Sequence, residues 1–229
     1  MSTIPYSKRI PQWIKDYAVA NNMKSLVIGI SGGIDSSVVS TLCAETGLPV
    51  HAVSMPIRQI REQNDLSQDH GMWLANKYSN VTHHTILLDS LFNSFVQSMP
   101  TNSLSDHALA NTKSRLRMVT LYQIAGSHKG LVVGTGNKVE DFGVGFYTKY
   151  GDGGVDISPL GDLLKTEVWQ FGKDLNILQT IIDAPPTDGL WEDGRTDKDQ
   201  LGGLTYEEME RAMDLDDKGA IAIGSCLLY

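Results

Sequence analysis

A chain of 229 residues with 41% apolar content holds enough hydrophobic material for one sizeable core and little beyond it, so a single domain spanning residues 1–229 is expected. A formal charge of −8 and a pI near 5.1 exclude a general nucleic-acid surface, which needs clustered Lys and Arg, and leave room only for local basic pockets. No apolar run approaches membrane-spanning length and no N-terminal stretch has the layout of a signal peptide, so the expectation is a cytoplasmic protein that binds neither membrane nor nucleic acid.

Residues 8–22 carry Ile10, Trp13, Ile14 and Tyr17 at helical spacing, with Pro11 tolerable only in a first turn. Residues 26–30 form a short buried strand, and Ile34, Val38, Val39, Leu42 and Cys43 then recur on a helix over 34–46, stopped by Gly47 and Pro49. A second apolar strand runs over 50–55 and is closed by Pro56. A helix at 65–78, a strand at 81–88, helices at 91–99 and 104–125, and a strand-like LVVGTG at 131–136 continue the alternation. That order predicts an α/β protein, a parallel twisted sheet with helices on both faces and ligands at the carboxyl ends of its strands. Beyond Gly143 the chain turns to glycine-rich loops, and a helix follows at 162–174. Residues 184–203 are rich in Pro, Asp and Gly and long for a passive connection, which predicts a mobile lid. Cys43 and Cys226 are too few and too scattered for a disulfide framework, a zinc site or a thiol relay. The six histidines lack metal spacing, because His83 and His84 are adjacent in a strand and must face opposite ways. The apolar tail at 220–229 suits burial at a subunit contact.

Function is concentrated where the first strand meets its helix, in Ser31, Gly32, Gly33, Ile34, Asp35, Ser36 and Ser37. Two glycines let the backbone approach an anion, three serines offer hydroxyls, and the helix start offers unpaired N–H groups. Asp35 would repel bound phosphates unless a hard divalent cation lay between them, so its presence argues for Mg²⁺ on a nucleotide. The GxxxxGK[ST] loop of kinases and GTPases is absent. After the strand at 131, GTGNKVED brings Thr135 and Glu140 toward the same end of the sheet, and Glu140 is the natural second carboxylate for the metal.

The string SGGIDSS resembles the signature of the N-type ATP pyrophosphatases, which split ATP between the α and β phosphates to adenylate an acceptor. GFYTKYGDGGVD at 145–156, followed by Pro159, Asp162, Lys165 and the GLW at 189–191, is far more specific and looks like NAD⁺ synthetase, with a likeness that runs from the loop to the Tyr206 region. The resemblance implies the adenine nucleotide alpha-hydrolase-like fold and a two-step reaction. The nicotinate carboxylate of deamido-NAD⁺ attacks the ATP α-phosphorus, and ammonia displaces AMP from the acyl adenylate. It implies that Ser31, Gly32, Gly33, Asp35, Ser36, Ser37, Thr135 and Lys165 hold ATP and pyrophosphate, that Asp35 and Glu140 ligate Mg²⁺, and that Lys165, Asp35 and Thr187 serve catalysis. Asn111, Arg115, Arg117, Phe146, Lys149, Asp152 and Asp156 would bind deamido-NAD⁺ at a homodimer interface, and Met118 matches on the same helix. Arg115 and Arg117 point some 200° apart on that helix, roughly two residues at 100° each. The chain departs from the family's PTADL at Pro186, Thr187 and Asp188, which leaves the carboxylate of the ammonia site at Asp188 or missing. It also carries an extra residue between Glu140 and Phe146. Arg58 and Arg61 match only loosely as ATP ligands. Free ammonia is the expected donor, because the chain has neither the length of a glutaminase domain nor a suitable thiol. The rivals are a GMP-synthetase-like or tRNA-thiolating pyrophosphatase and a non-catalytic nucleotide sensor. Paired cysteines are missing for thiolation, and a sensor needs no reactive-phosphate constellation.

Overall fold

The computed structural model of the chain describes residues 6–218; Cys226 and the apolar tail lie outside the described residues. Strands β1 (Ser25–Ile30), β2 (Val50–Ser54), β3 (Val81–Thr85) and β4 (Gly130–Val132) form a parallel sheet in the order β3-β2-β1-β4. Leu26 stands opposite Val50 on one side and Leu131 on the other, which sets the register of the whole sheet. One face, built from Leu26, Ile28, Ile30 and Ala52, packs on helices α1 (Tyr6–Ala20), α2 (Ile34–Glu45), α3 (Arg61–Lys77) and α6 (Lys165–Asp174). Val27, Val53 and Val132 on the other face meet α4 (Asp89–Ser98) and α5 (Asp106–His128). Alternation along the strands thus divides the apolar residues between two cores, as expected for a sheet buried on both sides.

Chain direction explains where a ligand can sit. From β1 the chain steps outward through α2, β2, α3 and β3, then returns across the opposite face by α4 and α5 to place β4 on the far side of β1. Neighbouring loops leave β1 and β4 toward opposite faces, so a crevice opens at their carboxyl ends. Residues 31–33, Gly134 and Thr135 border that crevice. α2 is buried along almost its whole length, from Ile34 to Ala44. Its small polar residues satisfy themselves within the helix: Ser37 Oγ donates to Gly33 O at 2.9 Å and Thr41 Oγ1 to Ser37 O at 2.8 Å.

Several boundaries differ from expectation. α1 begins at Tyr6, so Pro11 falls beyond its first turn and leaves the Ser7 carbonyl without an i+4 donor. β3 stops at Thr85 rather than residue 88, because Pro56, just beyond the end of β2, has no N–H with which to extend the ladder. β4 ends at Val132, and the next residues peel away to a lone parallel pairing between Val133 and Ile157. His83 and His84 do face opposite ways, bonding Ser54 at 2.9 Å and His51 at 3.1 Å. Among the described residues no cluster of three or more His, Cys, Asp or Glu side chains has the geometry of a metal centre.

His70 of α3 is fully buried, with Nε2 2.9 Å from Ser40 Oγ and Nδ1 unpartnered. Burial, reinforced by His83, pushes its pKa down from 6.5 to about 4. The unfolded chain therefore takes up a proton that the folded chain refuses, so stability is lost as pH falls from 6.5 toward 4. At most about 3 kcal/mol rides on this group. Melting His70→Asn and the parent protein across that range checks it: the variant should show the shallower acid limb, and parallel curves would dismiss the group.

Candidate active site

The crevice is a cleft of about 550 Å³, within the usual range for a small-molecule site. Its floor is the turn from β1 into α2. Gly32 adopts φ +90°, and a Cβ there would stand 2.8 Å from Ser67 N and 2.9 Å from Gln63 O of α3, so both conformation and space demand glycine. Ser31 and Ser36 hydroxyls lie 3.0 Å apart, and Ser31 Oγ accepts from Gly33 N at 3.2 Å. No side chain caps α2 at Gly33, which leaves the first-turn N–H groups to the cleft. Ser37 does not line the cleft: its side chain is fully buried and donates to the Gly33 carbonyl.

Above the loop Lys165 joins the two acids singled out in the sequence. Its Nζ lies 2.5 Å from Asp35 Oδ2 and 2.8 Å from Glu140 Oε1, with its side chain 3% exposed. Three separate elements meet here, because Asp35 is in the first turn of α2, Glu140 in a π-helical turn (Val139–Val144) and Lys165 at the start of α6. Gly145 closes this wide turn at φ +68°. Asn137, which sequence reading passed over, is fully buried and locks the turn: Oδ1 accepts from Val139 N and Glu140 N at 3.1 Å, and Nδ2 donates to Asp35 Oδ1 at 3.1 Å.

The triad holds one buried positive charge against two negative ones. Burial raises the Asp35 carboxyl above its ordinary value. Glu140 is buried as well, yet attraction to Lys165 and hydrogen bonds from Lys165, Tyr206 and Asn137 hold it below the ordinary range. Burial opposes the Lys165 charge, but the two carboxylates overcome it and hold the ammonium well above its usual pKa. Asp141 next door is pushed up to about 7, by burial first and then by Glu140, Asp152 and Asp35. Such an excess of acid calls for a cation from outside. Two carboxylates already converging on one ammonium form an oxygen-only set, the chemistry Mg²⁺ prefers.

The far wall comes from α5 and the loop it holds. Asn111 Oδ1 accepts from Thr148 Oγ1 at 2.7 Å, and Ser114 Oγ donates to Asp152 Oδ1 at 2.6 Å. Arg117 lines the cleft and donates from Nε to Met55 O at 3.0 Å; burial lowers its pKa to about 10 while Asp188 and Asp152 oppose the shift. Phe146, Thr135 and Thr187 also line the cleft. Arg115, Lys149 and Asp156 do not. Arg115 turns away from Arg117 and bonds the Lys149 carbonyl at 3.2 Å, and the Lys149 ammonium lies over Tyr150. The Asp156 carboxylate is occupied by Val132 N at 2.8 Å and Tyr122 OH at 3.0 Å, a sheet-edge role rather than one in the cleft of this chain. Arg61 reaches only Asp65, so Gln59 and Gln63 border the loop where a basic side chain was expected. Residues 184–203 roof the cleft and contain a short helix, α8 (Asp197–Gln200), preceded by α7 (Gln179–Ile182) and followed by α9 (Tyr206–Asp217). Lys113 ties this roof down, with Nζ 2.9 Å from Leu190 O and 3.5 Å from Glu192 Oε1. Lys113, Asp197 and Tyr206 escaped sequence reading, since each looks like an ordinary helix residue until the chain is folded.

A parallel sheet with this order and a glycine-serine loop at the end of β1 defines a protein of the adenine nucleotide alpha-hydrolase-like fold. The family model described as NAD synthase matches residues 6–223, and the chain belongs to that family. An NH(3)-dependent NAD(+) synthetase from Carboxydothermus hydrogenoformans is 36% identical over 207 residues, covering 89% of this chain and 82% of that protein. Among solved structures, an NMN synthetase from Francisella tularensis superposes with a TM-score of 0.83 at 34% identity, covering 97% of this chain and 88% of that one. An NH3-dependent NAD synthetase from Campylobacter jejuni, in complex with the nitrate ion, gives 0.71 at 25% identity, covering 94% and 93%.

Proposed function

We propose that this chain makes NAD⁺ from deamido-NAD⁺, ATP and ammonia, through an acyl adenylate and with release of AMP and pyrophosphate. The observation that carries the reading is the meeting of Asp35, Glu140 and Lys165 over an uncapped helix start, in one cleft with Arg117, Phe146 and Asp152. Asp35 and Glu140 would hold Mg²⁺, which supplies charge neutralisation for the departing pyrophosphate. Ser31, Ser36 and the first N–H groups of α2 receive the phosphates. Lys165, charged at any working pH, offsets charge building at the α-phosphorus. Phe146 offers a face to the pyridine ring, and Asp152 an acceptor to ribose hydroxyls. Residues 184–203 act as the lid that excludes water from the adenylate. Arg115 and Lys149, outside the cleft, would meet the dinucleotide bound by a second copy in a homodimer.

The likeness to an NMN synthetase supports a second reading, with the nicotinate mononucleotide as acceptor. Both acceptors present the same carboxylate to the same triad. Supplying ATP, Mg²⁺ and ammonia with deamido-NAD⁺, nicotinate mononucleotide or xanthosine monophosphate separates the cases. AMP formation is expected with deamido-NAD⁺ at the highest kcat/KM. A higher value with the mononucleotide installs the second reading, and turnover of xanthosine monophosphate alone overturns both.

A further inference from the structure

Behind the phosphate loop a line of small polar groups runs from α3 through β2 to β3. Ser67 of α3 is 3% exposed and Ser54, the last residue of β2, is fully buried; neither lines the cleft. The β1–β2 ladder ends at the pair Ile30 and Ser54, so the Ile30 carbonyl stands at the end of the sheet, where Ser67 Oγ donates to it at 2.9 Å. That carbonyl and the N–H of Ser31 belong to one planar peptide group. At the other end of the same plane Ser31 N donates to Ser36 Oγ at 3.2 Å. Ser67 therefore grips from behind the peptide on whose front the two phosphate-facing serines meet.

The Ser67 hydroxyl has one hydrogen to give and two acceptors within reach, Ile30 O at 2.9 Å and Ser54 Oγ at 2.7 Å. Ser54 Oγ lies in turn 2.9 Å from His83 Nε2. Space for that imidazole is made on purpose: it lies against Gly71 of α3, where a Cβ would collide with the ring, and glycine inside a helix is otherwise unfavourable. When Ser54 gives its own hydrogen to His83 Nε2, its oxygen faces Ser67 as a pure acceptor and draws hydrogen away from Ile30. Ser54 with His83 and the Ile30 carbonyl thus compete for one donor.

We propose that Ser67 is a positioning residue for the phosphate loop, fixing the peptide between Ile30 and Ser31 so that Ser31 and Ser36 meet the triphosphate, and that Ser54, held by His83, competes for the same hydrogen. This rests on the reading of residues 31–36 as the seat of the ATP phosphates. Ser67 does not reach the cleft and acts only through Ser31. Two neighbouring buried serines should then behave oppositely. Loss of the Ser67 hydroxyl frees the peptide to turn, whereas loss of the Ser54 hydroxyl leaves the whole hydrogen to Ile30.

Steady-state kinetics tests this, with whichever of deamido-NAD⁺ and nicotinate mononucleotide the parent protein amidates. Ser67→Ala should raise KM for ATP about 3- to 10-fold, the worth of one neutral hydrogen bond, and leave KM for the acceptor and for ammonia within about twofold. Ser54→Ala should leave KM for ATP at or below the parent value. A merely structural role would lower the melting temperature of both variants without any such split. An unchanged ATP KM in Ser67→Ala, equal rises for ATP and acceptor, or a rise in Ser54→Ala that matches the one in Ser67→Ala overturns the proposal. Should Ser67→Ala fail to fold by circular dichroism, Ser67→Cys decides: its weak S–H donor should raise KM for ATP alone, and no rise, or a rise shared with the acceptor, overturns the proposal. Absence of pyrophosphate release from the parent protein with either acceptor instead removes the amidating reading itself, and this inference with it.

Discussion

Replacing Lys165 with Met should be the most damaging single change in the cleft, costing about 3–5 kcal/mol of folding stability together with nearly all activity. The reason is electrostatic: the ammonium is the partner that Asp35 and Glu140 share at 2.5 and 2.8 Å, and its removal leaves two buried carboxylates facing each other. For a chain of this size the loss corresponds to a melting temperature lower by about 10 °C. Pyrophosphate release should drop about 100- to 1,000-fold, as when one fixed charge is taken from a transition state. Added Mg²⁺ should restore much of the stability in Lys165→Met and little of the activity, because the same carboxylates then hold a different cation. Calorimetry with and without Mg²⁺, beside a pyrophosphate assay, checks both halves. A variant that melts with the parent protein would show that the triad is not a unit.

Asp35→Asn should separate stability from activity. The Asp35 carboxyl is raised above its ordinary value by burial, so the folded state holds its proton more tightly than the unfolded chain does. By linkage its contribution to stability declines as pH rises above 3.8, and at neutral pH the ionised group is a burden on the unliganded protein. Asparagine removes that burden, leaves Lys165 paired with Glu140 and keeps an oxygen for Asn137. The unliganded variant should therefore melt at or above the parent temperature, while Mg²⁺-dependent pyrophosphate release falls by about three orders of magnitude. Release at the parent rate would remove Asp35 from the metal site. Active sites commonly keep groups that the resting fold would be more stable without.

Seen from the sequence, the loop at 31–36 needed no tertiary information, because glycine freedom, serine hydroxyls and a helix start are local properties that survive any packing. The same holds for the strand and helix order, from which the parallel sheet and its ligand edge follow. Boundaries were less legible: Pro11 lies further into α1 than its preference suggests, and β3 stops early because of a proline just past the end of β2. Ser37 and Asp156 carry the residue types a binding motif wants, yet one turns into its own helix and the other bonds a strand edge.

What the amino-acid order determined unaided was the kind of chemistry, since a carboxylate in a phosphate loop makes sense only with a cation, and that conflict is written within seven residues. What tertiary structure alone decided was the company each group keeps. Lys165 comes to rest between Asp35 and Glu140, which are 130 and 25 positions away. Asn137 clamps Asp35 across 102 positions, and Tyr206 joins Glu140 to Asp197 across 66 and 9. Local sequence carries backbone preference and side-chain type. The pKa, partner and exposure of a charged group depend on what burial places within a few ångströms of it, and that is set only when distant segments meet.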